Sequence, residues 1–323
     1  EINTQEELDV DTTGILYITK PLRERKSMNK EVDVIPLPLL KKQAALFTDD
    51  IRRLLIYKDK LPRAVFIDYL RILCGLHLTL YTMKVVYLLP KMIEAGTREV
   101  EDDWSMVVDV TDNLDSIVAP YACKDIERME NSYGKYIRAT YMIDIIQDRK
   151  SCSVDEALRI LKEDNDKQGE YYEVKLKDIE NNLPNSDEKE FDKNDFREML
   201  EFFPENDYFD MFVHVLEKSN LGASQYRYLR EFIDAVSMKN SSSMLMADSR
   251  SKRHPRRGAL GSKLLETMVQ LLVLKEKPNG GYETRSLSID ELASAIRERY
   301  GLIINGIEDE RFADADVEMN AAF

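Results

Sequence analysis

The run from Val65 to Leu89 constrains this chain more than any other stretch. It is apolar on more than one helical face, with Ile72-Leu-Cys-Gly-Leu-His-Leu-Thr-Leu-Tyr-Thr-Met83 at its centre. A helix that is apolar all round must be enclosed, by other helices or by lipid. Asp68, Arg71, His77 and Lys84 interrupt the run. The interval between Arg71 and Lys84 falls short of the roughly 20 residues that a membrane span requires. The run therefore predicts a buried central helix. Pro62 opens it at a position where a missing N–H costs little, and Pro90 follows it. Cys74 reads as a small core residue. His77, between Leu76 and Leu78 with Tyr81 a turn away, reads as a core histidine satisfied by its neighbours.

Around this helix the periodicity is mostly helical. Leu40, Ala44, Phe47, Ile51, Leu54 and Leu55 recur at helical spacing across Leu39–Tyr57, as one helix or as two broken near Thr48-Asp-Asp50. Gly14–Thr19 has strand composition. Trp104–Val110 predicts a buried strand with a polar exit, where Asp109 is expected to be solvated. Helices are expected over Asp115–Asn131 and Tyr133–Asp148. A capping box, Ser153-Val-Asp-Glu156, starts another that runs to about Lys162. From Glu163 to Glu201 acids outnumber bases, around a loop at Asn182–Asp187. This tract is a solvated connector or an acidic docking surface for a basic partner. Two amphipathic helices follow, Asp207–Lys218 and Ser224–Met238, joined by a turn at Ser219–Gly222. Lys239–Ser243 reads as a linker.

The last quarter differs in chemistry. Arg250, Lys252, Arg253, Arg256, Arg257 and Lys263 cluster in a chain whose formal net charge is −14, with 46 Lys+Arg against 60 Asp+Glu. That balance argues against a surface that coats nucleic acid throughout, and it makes a local basic patch more telling. Guanidinium groups match phosphate by paired hydrogen bonds. Behind the tract come an apolar helix over Lys263–Leu274, a turn at Pro278–Gly281 and a short strand over Glu283–Leu287. A helix over Ser288–Tyr300 then opens on the capping box Ser288-Ile-Asp-Glu291 and stops at Gly301. Arg285 lies on the strand and joins the basic set. This order suggests a winged helix. The third helix of that fold would have to begin at Met319–Phe323, after the acids Asp314, Asp316 and Glu318. The expected architecture is thus mainly α with a few short strands. A helical domain spans 1–162, an acidic helical connector 163–247, and a winged-helix-like module with a basic flank 248–323.

Catalytic signatures are sparse. The three cysteines, Cys74, Cys123 and Cys152, lack CxxC spacing and suit a reducing cytoplasm. Glu1–Asp11 is acidic and polar, unlike a secretory signal. His77, His214 and His254 stand far apart in sequence, outside any metal-ligand motif. The glycine-rich phosphate loops and the GxSxG elbow are missing. No cofactor and no metal are expected. A nuclease-like E-x-K, Glu173-Val-Lys175, follows Asp164 and Asp166, in a segment that reads equally well as a helix.

Three stretches together resemble proteins of multi-gene bacterial anti-phage systems, of the methylation-associated or phosphorothioation-linked kind. They are Gly75-Leu-His-Leu-Thr-Leu-Tyr81 with Leu88-Leu-Pro90, Met106-Val-Val-Asp109, and Ser262–Leu272 with Arg297-Glu-Arg-Tyr-Gly-Leu302. The resemblance implies an accessory subunit acting beside an ATPase, helicase, methylase or nuclease, and it carries over no catalytic residue. The acidic tail departs from a plain DNA-binding winged helix.

Three functions stay open at this point. The first is a cytoplasmic, non-enzymatic subunit of a defence or restriction complex that associates with DNA or assembles its partners. Its nucleic-acid contacts would be Arg250, Lys252, Arg253, Arg256, Arg257, Lys263 and Arg285. The second is a metal-dependent nuclease using Asp166, Glu173 and Lys175. The third is a protein-docking scaffold without DNA contact. Expected partners are DNA and other protein subunits of a complex, with no membrane.

Overall fold

A computed structural model describes residues 38–110, 113, 115–163, 169–185, 192–238, 245–247, 255–304 and 312. The Gly14–Thr19 strand, the Lys239–Ser243 linker and the start of a third carboxy-terminal helix at 319–323 lie outside these residues. Among the described residues there are ten α-helices and four short strands, so the chain is mainly α.

The first helix, α1 (Lys41–Leu55), is continuous through Thr48-Asp-Asp50. No break occurs there because each polar group has a partner. The Thr48 hydroxyl donates to the Ala44 carbonyl one turn back, and both aspartates are held by other side chains. The central helix, α2 (Arg63–Ala95), runs past Pro90 and ends on Gly96 in the left-handed conformation. An interior proline forfeits a backbone hydrogen bond and crowds the preceding turn. Burial of Leu88, Leu89 and Met92 on either side of it holds the helix together. The expected stop at Leu89 is thereby corrected by packing. So is the expected break at Ser132, since α3 (Ala119–Lys150) is a single helix. Tyr133 is fully buried there, and the Ser132 hydroxyl bonds back to the Arg128 carbonyl.

Four shorter helices follow: α4 (Val154–Glu163), α5 (Glu170–Asn182), α6 (Lys193–Leu200) and α7 (Tyr208–Lys218). Next is α8 (Asn220–Ser237), whose N-cap is Ser219, also the C-cap of α7. The expected four-residue turn between them is one residue. Helices α1, α3, α4 and α8 all pack on α2, as does α9 (Ser262–Leu272). Among the described residues α2 is the one helix long and apolar enough to cross a membrane. Most of it is buried against the other helices, while Val65, Ile67, Cys74 and Leu78 leave an exposed apolar strip.

Two clusters of buried side chains share α2 and α3 as their spine. The first holds Leu76, Leu80 and Met83 with Tyr133. The second holds Leu88 and Met92 with Ile143 and Ile146. The first also takes in Ile233, Leu245 and Met246, then Leu264, Met268, Ile296 and Tyr300. One core thus draws on all three segments into which composition divides the chain.

Extended chain joins the two ends of that core. β1 (Met106–Val107) pairs in parallel with β4 (Leu302–Ile303), Met106 opposite Leu302 and Val107 opposite Ile303. On its other side Asp109 bonds to Gly258 and Leu260. The Trp104 segment is therefore buried as expected, but its polar exit is not solvated. Asp109 is 1% exposed, beside the Arg257 guanidinium with Nε 3.5 Å from Oδ2. Cys74 departs in the other direction, lying exposed on the outer face of α2.

At the carboxy-terminal end, β2 (Leu274–Glu276) and β3 (Tyr282–Thr284) form an antiparallel hairpin between α9 and α10 (Ile289–Tyr300). Both sides of the Ser288/Glu291 capping box are made. Gly301 follows at φ 72°, where a Cβ would stand 2.7 Å from the Trp104 carbonyl oxygen. In the hairpin turn Gly280 has φ 82° with open space around it. Gly280→Ala is expected to show the backbone cost alone, about 1 kcal/mol. Gly301→Ala is expected to cost more, about 2–3 kcal/mol, because the clash with Trp104 adds to it. Urea denaturation of the two variants checks the order.

Candidate nucleic-acid interface

Where α1 meets the α9–hairpin–α10 segment, polar groups are buried in a connected set. Asp50 has no exposure to water. A carboxylate in that position needs hydrogen bonds to replace its hydration. Arg299 Nε donates to Oδ1 at 2.9 Å, while the Tyr300 hydroxyl and His77 Nε2 donate to Oδ2 at 3.0 and 2.9 Å. With Nε2 donating, Nδ1 of His77 accepts from Gln43 Nε2 at 3.0 Å. His77 is thus the satisfied core histidine expected from its neighbours. Gln43 Oε1 is buried, with no hydrogen-bond partner among the described residues.

Asp49, one residue earlier, is partly exposed and binds Arg299 at 2.5 Å and Arg53 at 2.8 Å. Burial pushes its carboxyl upward, but the hydrogen bonds and charges of Arg299 and Arg53 outweigh this and hold it below the ordinary 3.8. Burial disfavours the charged form of Arg299, yet the facing Asp50 raises its pKa overall. The Tyr300 phenol is pushed up by burial and by the Asp50 charge.

Arg53 also closes the end of α9. Its guanidinium donates to the carbonyls of Leu271 and Leu274 at 3.3 and 2.7 Å, and the Tyr57 hydroxyl donates to Gln270 at 2.8 Å. The last carbonyls of a helix have no partner within it, so Arg53 and Tyr57 supply donors to Leu271 and Gln270 of α9, and Arg53 also reaches Leu274 of β2. The Arg53 guanidinium lies over the Tyr282 ring of the hairpin, 5.4 Å from its centre.

Beside this junction opens a cleft of about 890 Å³. Lys42, Arg53, Lys84, Lys275, Arg285, Arg297 and Arg299 line it, against the acids Glu101, Asp102, Glu276 and Glu298. Lys84 is held by Asp102 at 2.7 Å and lies over the Trp104 ring, 5.8 Å from its centre. Lys42, Lys275 and Arg285 are exposed. In an acidic chain this concavity is locally cationic, a condition that concentrates anions by focusing the field.

The residues expected from sequence fall in different places. Arg285 lines the cleft. Lys263 is exposed on α9 and pairs with Asp68 at 2.9 Å. Arg256 is nearly buried between the carboxylates of Glu130 on α3 and Asp234 on α8. Arg257 is buried against Asp109. These two arginines are committed inside the fold. Arg250, Lys252, Arg253 and Asp166 lie outside the described residues. Glu173 and Lys175 sit on α5, where residues two apart diverge, and Glu173 pairs with Lys177 at 2.5 Å. The strand on which a D…ExK site is built is a helix here, so Glu173 and Lys175 do not present such a pair. Among the described residues no group of three or more metal-ligating side chains converges. Lys42, Arg53, Lys275, Arg297 and Arg299 were not singled out from sequence. They are scattered, and only Arg297 and Arg299 fall within a stretch noted for resemblance.

Breaking the buried set is expected to cost far more than breaking its exposed neighbour. Asp50→Ala leaves Arg299 without its buried counter-ion and should destabilise by about 3–5 kcal/mol. Asp49→Asn should cost under about 1 kcal/mol, since the site is partly solvated. Because the Asp49 pKa is depressed, its contribution is whole above 3.8 and disappears as pH falls through the lower folded value. The gap between wild type and Asp49→Asn should close over that window, in urea melts at stepped pH.

No curated protein and no solved structure matches the chain. A family model described as methylation-associated defense system protein MAD7 matches residues 1–323, and the chain belongs to that family of defence-system components.

Proposed function

We propose that this chain is a non-enzymatic subunit of its methylation-associated defence system, acting in the cytoplasm beside catalytic components and contacting DNA through the cationic cleft. The observation that carries this reading is the collection of Lys42, Lys275 and Arg285 at the rim of a concave site, in a chain with net charge −14. Phosphate groups are the anions that such a rim would meet on DNA. The segment 248–323 acts as the docking module, winged-helix-like in that extended chain, the β2–β3 hairpin, separates α9 from α10. The helices of 1–162 and 163–247 support it. Arg250, Lys252 and Arg253, which lie outside the described residues, and the exposed Lys263 are further candidates for phosphate contact.

One observation favours a second reading. Arg256 and Arg257, the adjacent pair that ends the basic tract, are consumed by internal ion pairs. A module whose arginines hold its own fold together suits a protein-docking scaffold without DNA contact.

A salt-titrated anisotropy assay with a labelled duplex separates the two. The double variant Lys275→Ala, Arg285→Ala should weaken binding and lower the slope of log K against log salt by about 2, near 0.9 for each phosphate that is no longer neutralised. Arg256→Ala and Arg257→Ala should lower stability and leave that slope unchanged. An unaltered slope in the double variant removes the cleft from DNA contact. No salt-dependent binding by the wild type leaves the scaffold.

A further inference from the structure

A second concave site lies among α5, α6 and α7. It is a groove of about 420 Å³ with an apolar floor, where Leu176, Phe196, Leu200, Phe203 and Met211 line it. Leu176 and Phe196 are buried and anchor the helices that frame it. Phe202 lies between the lining residues Glu201 and Phe203 and is 91% exposed. A phenylalanine so exposed, next in sequence to groove-lining residues, is unusual for a surface that stays bare.

The charges at this groove have one sign once internal pairs are set aside. Lys177 is paired with Glu173 at 2.5 Å, and Arg197 with Glu180 at 2.6 Å. Glu201 and Glu205 are the lining acids left over, both exposed. The rim is therefore anionic, the reverse of the cleft beside α10.

We infer that this groove docks a basic amphipathic helix of a protein partner. Three helices around an apolar floor accept another helix through anchors at i, i+3, i+4 and i+7. The acidic rim selects lysine or arginine on that helix's flanks. The same rim repels nucleic acid and anionic lipid, and it would face its own charge in a second copy of this chain. Arg256 and Arg257 of the chain's own basic tract are buried elsewhere. The inference rests on the subunit reading only in taking the partner to be a protein. The DNA assay addresses different residues, so the two can fail separately.

The probe is a labelled model peptide of leucine and lysine with leucines at helical spacing, titrated into the full chain. A counterpart with glutamate in place of lysine serves as its control. The leucine–lysine peptide should bind and the leucine–glutamate peptide should not. Glu201→Lys with Glu205→Lys should weaken binding by about tenfold. The exposed pair Glu127→Lys with Glu231→Lys, which does not line the groove, should change it by less than about twofold. Phe202→Ala, at a site too exposed to affect folding, should weaken it by about threefold or more. Equal losses from the two charge-reversal pairs would reduce the binding to general attraction by an acidic chain and overturn the inference. Binding unchanged in Phe202→Ala, or equal binding of the glutamate peptide, would overturn it as well.

Discussion

The carboxylate of Asp50 has no contact with water, so the fold has to supply everything water would have given it. It does so with three donors from two distant places, His77 on α2 and Arg299 and Tyr300 on α10. Each brings its own helix to α1. A buried ion pair of this kind contributes little net stability, because desolvation offsets most of the attraction. What it imposes is selectivity. Any arrangement that fails to bring α1, α2 and α10 together leaves a bare charge in the interior. The orientation of Gln43 and the tautomer of His77 follow from the same carboxylate, and both belong to the wall of the cationic cleft or to the layer behind it.

Charge is distributed by a consistent pattern. Many cations of this acidic protein are matched to a carboxylate or a helix end: Lys84 to Asp102, Arg53 to Asp49 and the end of α9, Arg256 to Glu130 and Asp234, Arg257 to Asp109. Pairing of this sort holds the segment around residues 255–260 against α3, α8 and the Trp104 strand. The surface that could recruit partners is made of what remains. The cleft is lined by more cations than acids, whereas at the groove of α5–α7 the unpaired charge is negative beside an apolar floor. On the proposed reading, two sites of unlike character would let one subunit meet different kinds of partner.

Much of the fold was legible because its signals are local. The apolar run of α2 called for burial and is buried along most of its surface. The start and stop of α10 lie within a turn of the residues that make them, Ser288 with Glu291 and Gly301 at positive φ. Errors arose where packing overrode a local signal. Pro90 continues within α2, and Ser132 does not divide α3, because the side chains around both are buried in a core shared by two long helices. Asp109 looked like a solvated strand end and is buried, since its counter-ion Arg257 stands 148 residues away. Cys74 looked apolar enough for the core but falls on the exposed face of its helix.

The candidate sites divide in the same way. Composition and spacing sufficed for a mainly helical protein with a basic carboxy-terminal flank and an acidic middle, since helix periodicity and net charge depend on near neighbours and on totals. Which basic residues stay at the surface is a different matter. Arg53 meets the carbonyl of Leu274 across 221 residues, and Arg299 meets Asp50 across 249. A charge is neutralised by whatever the folded path brings within a few ångströms, and that path is set by the burial of α2 and its neighbours. The arginine-rich tract that stood out in sequence is therefore partly structural. The cleft was assembled from residues that no stretch of the chain displays together.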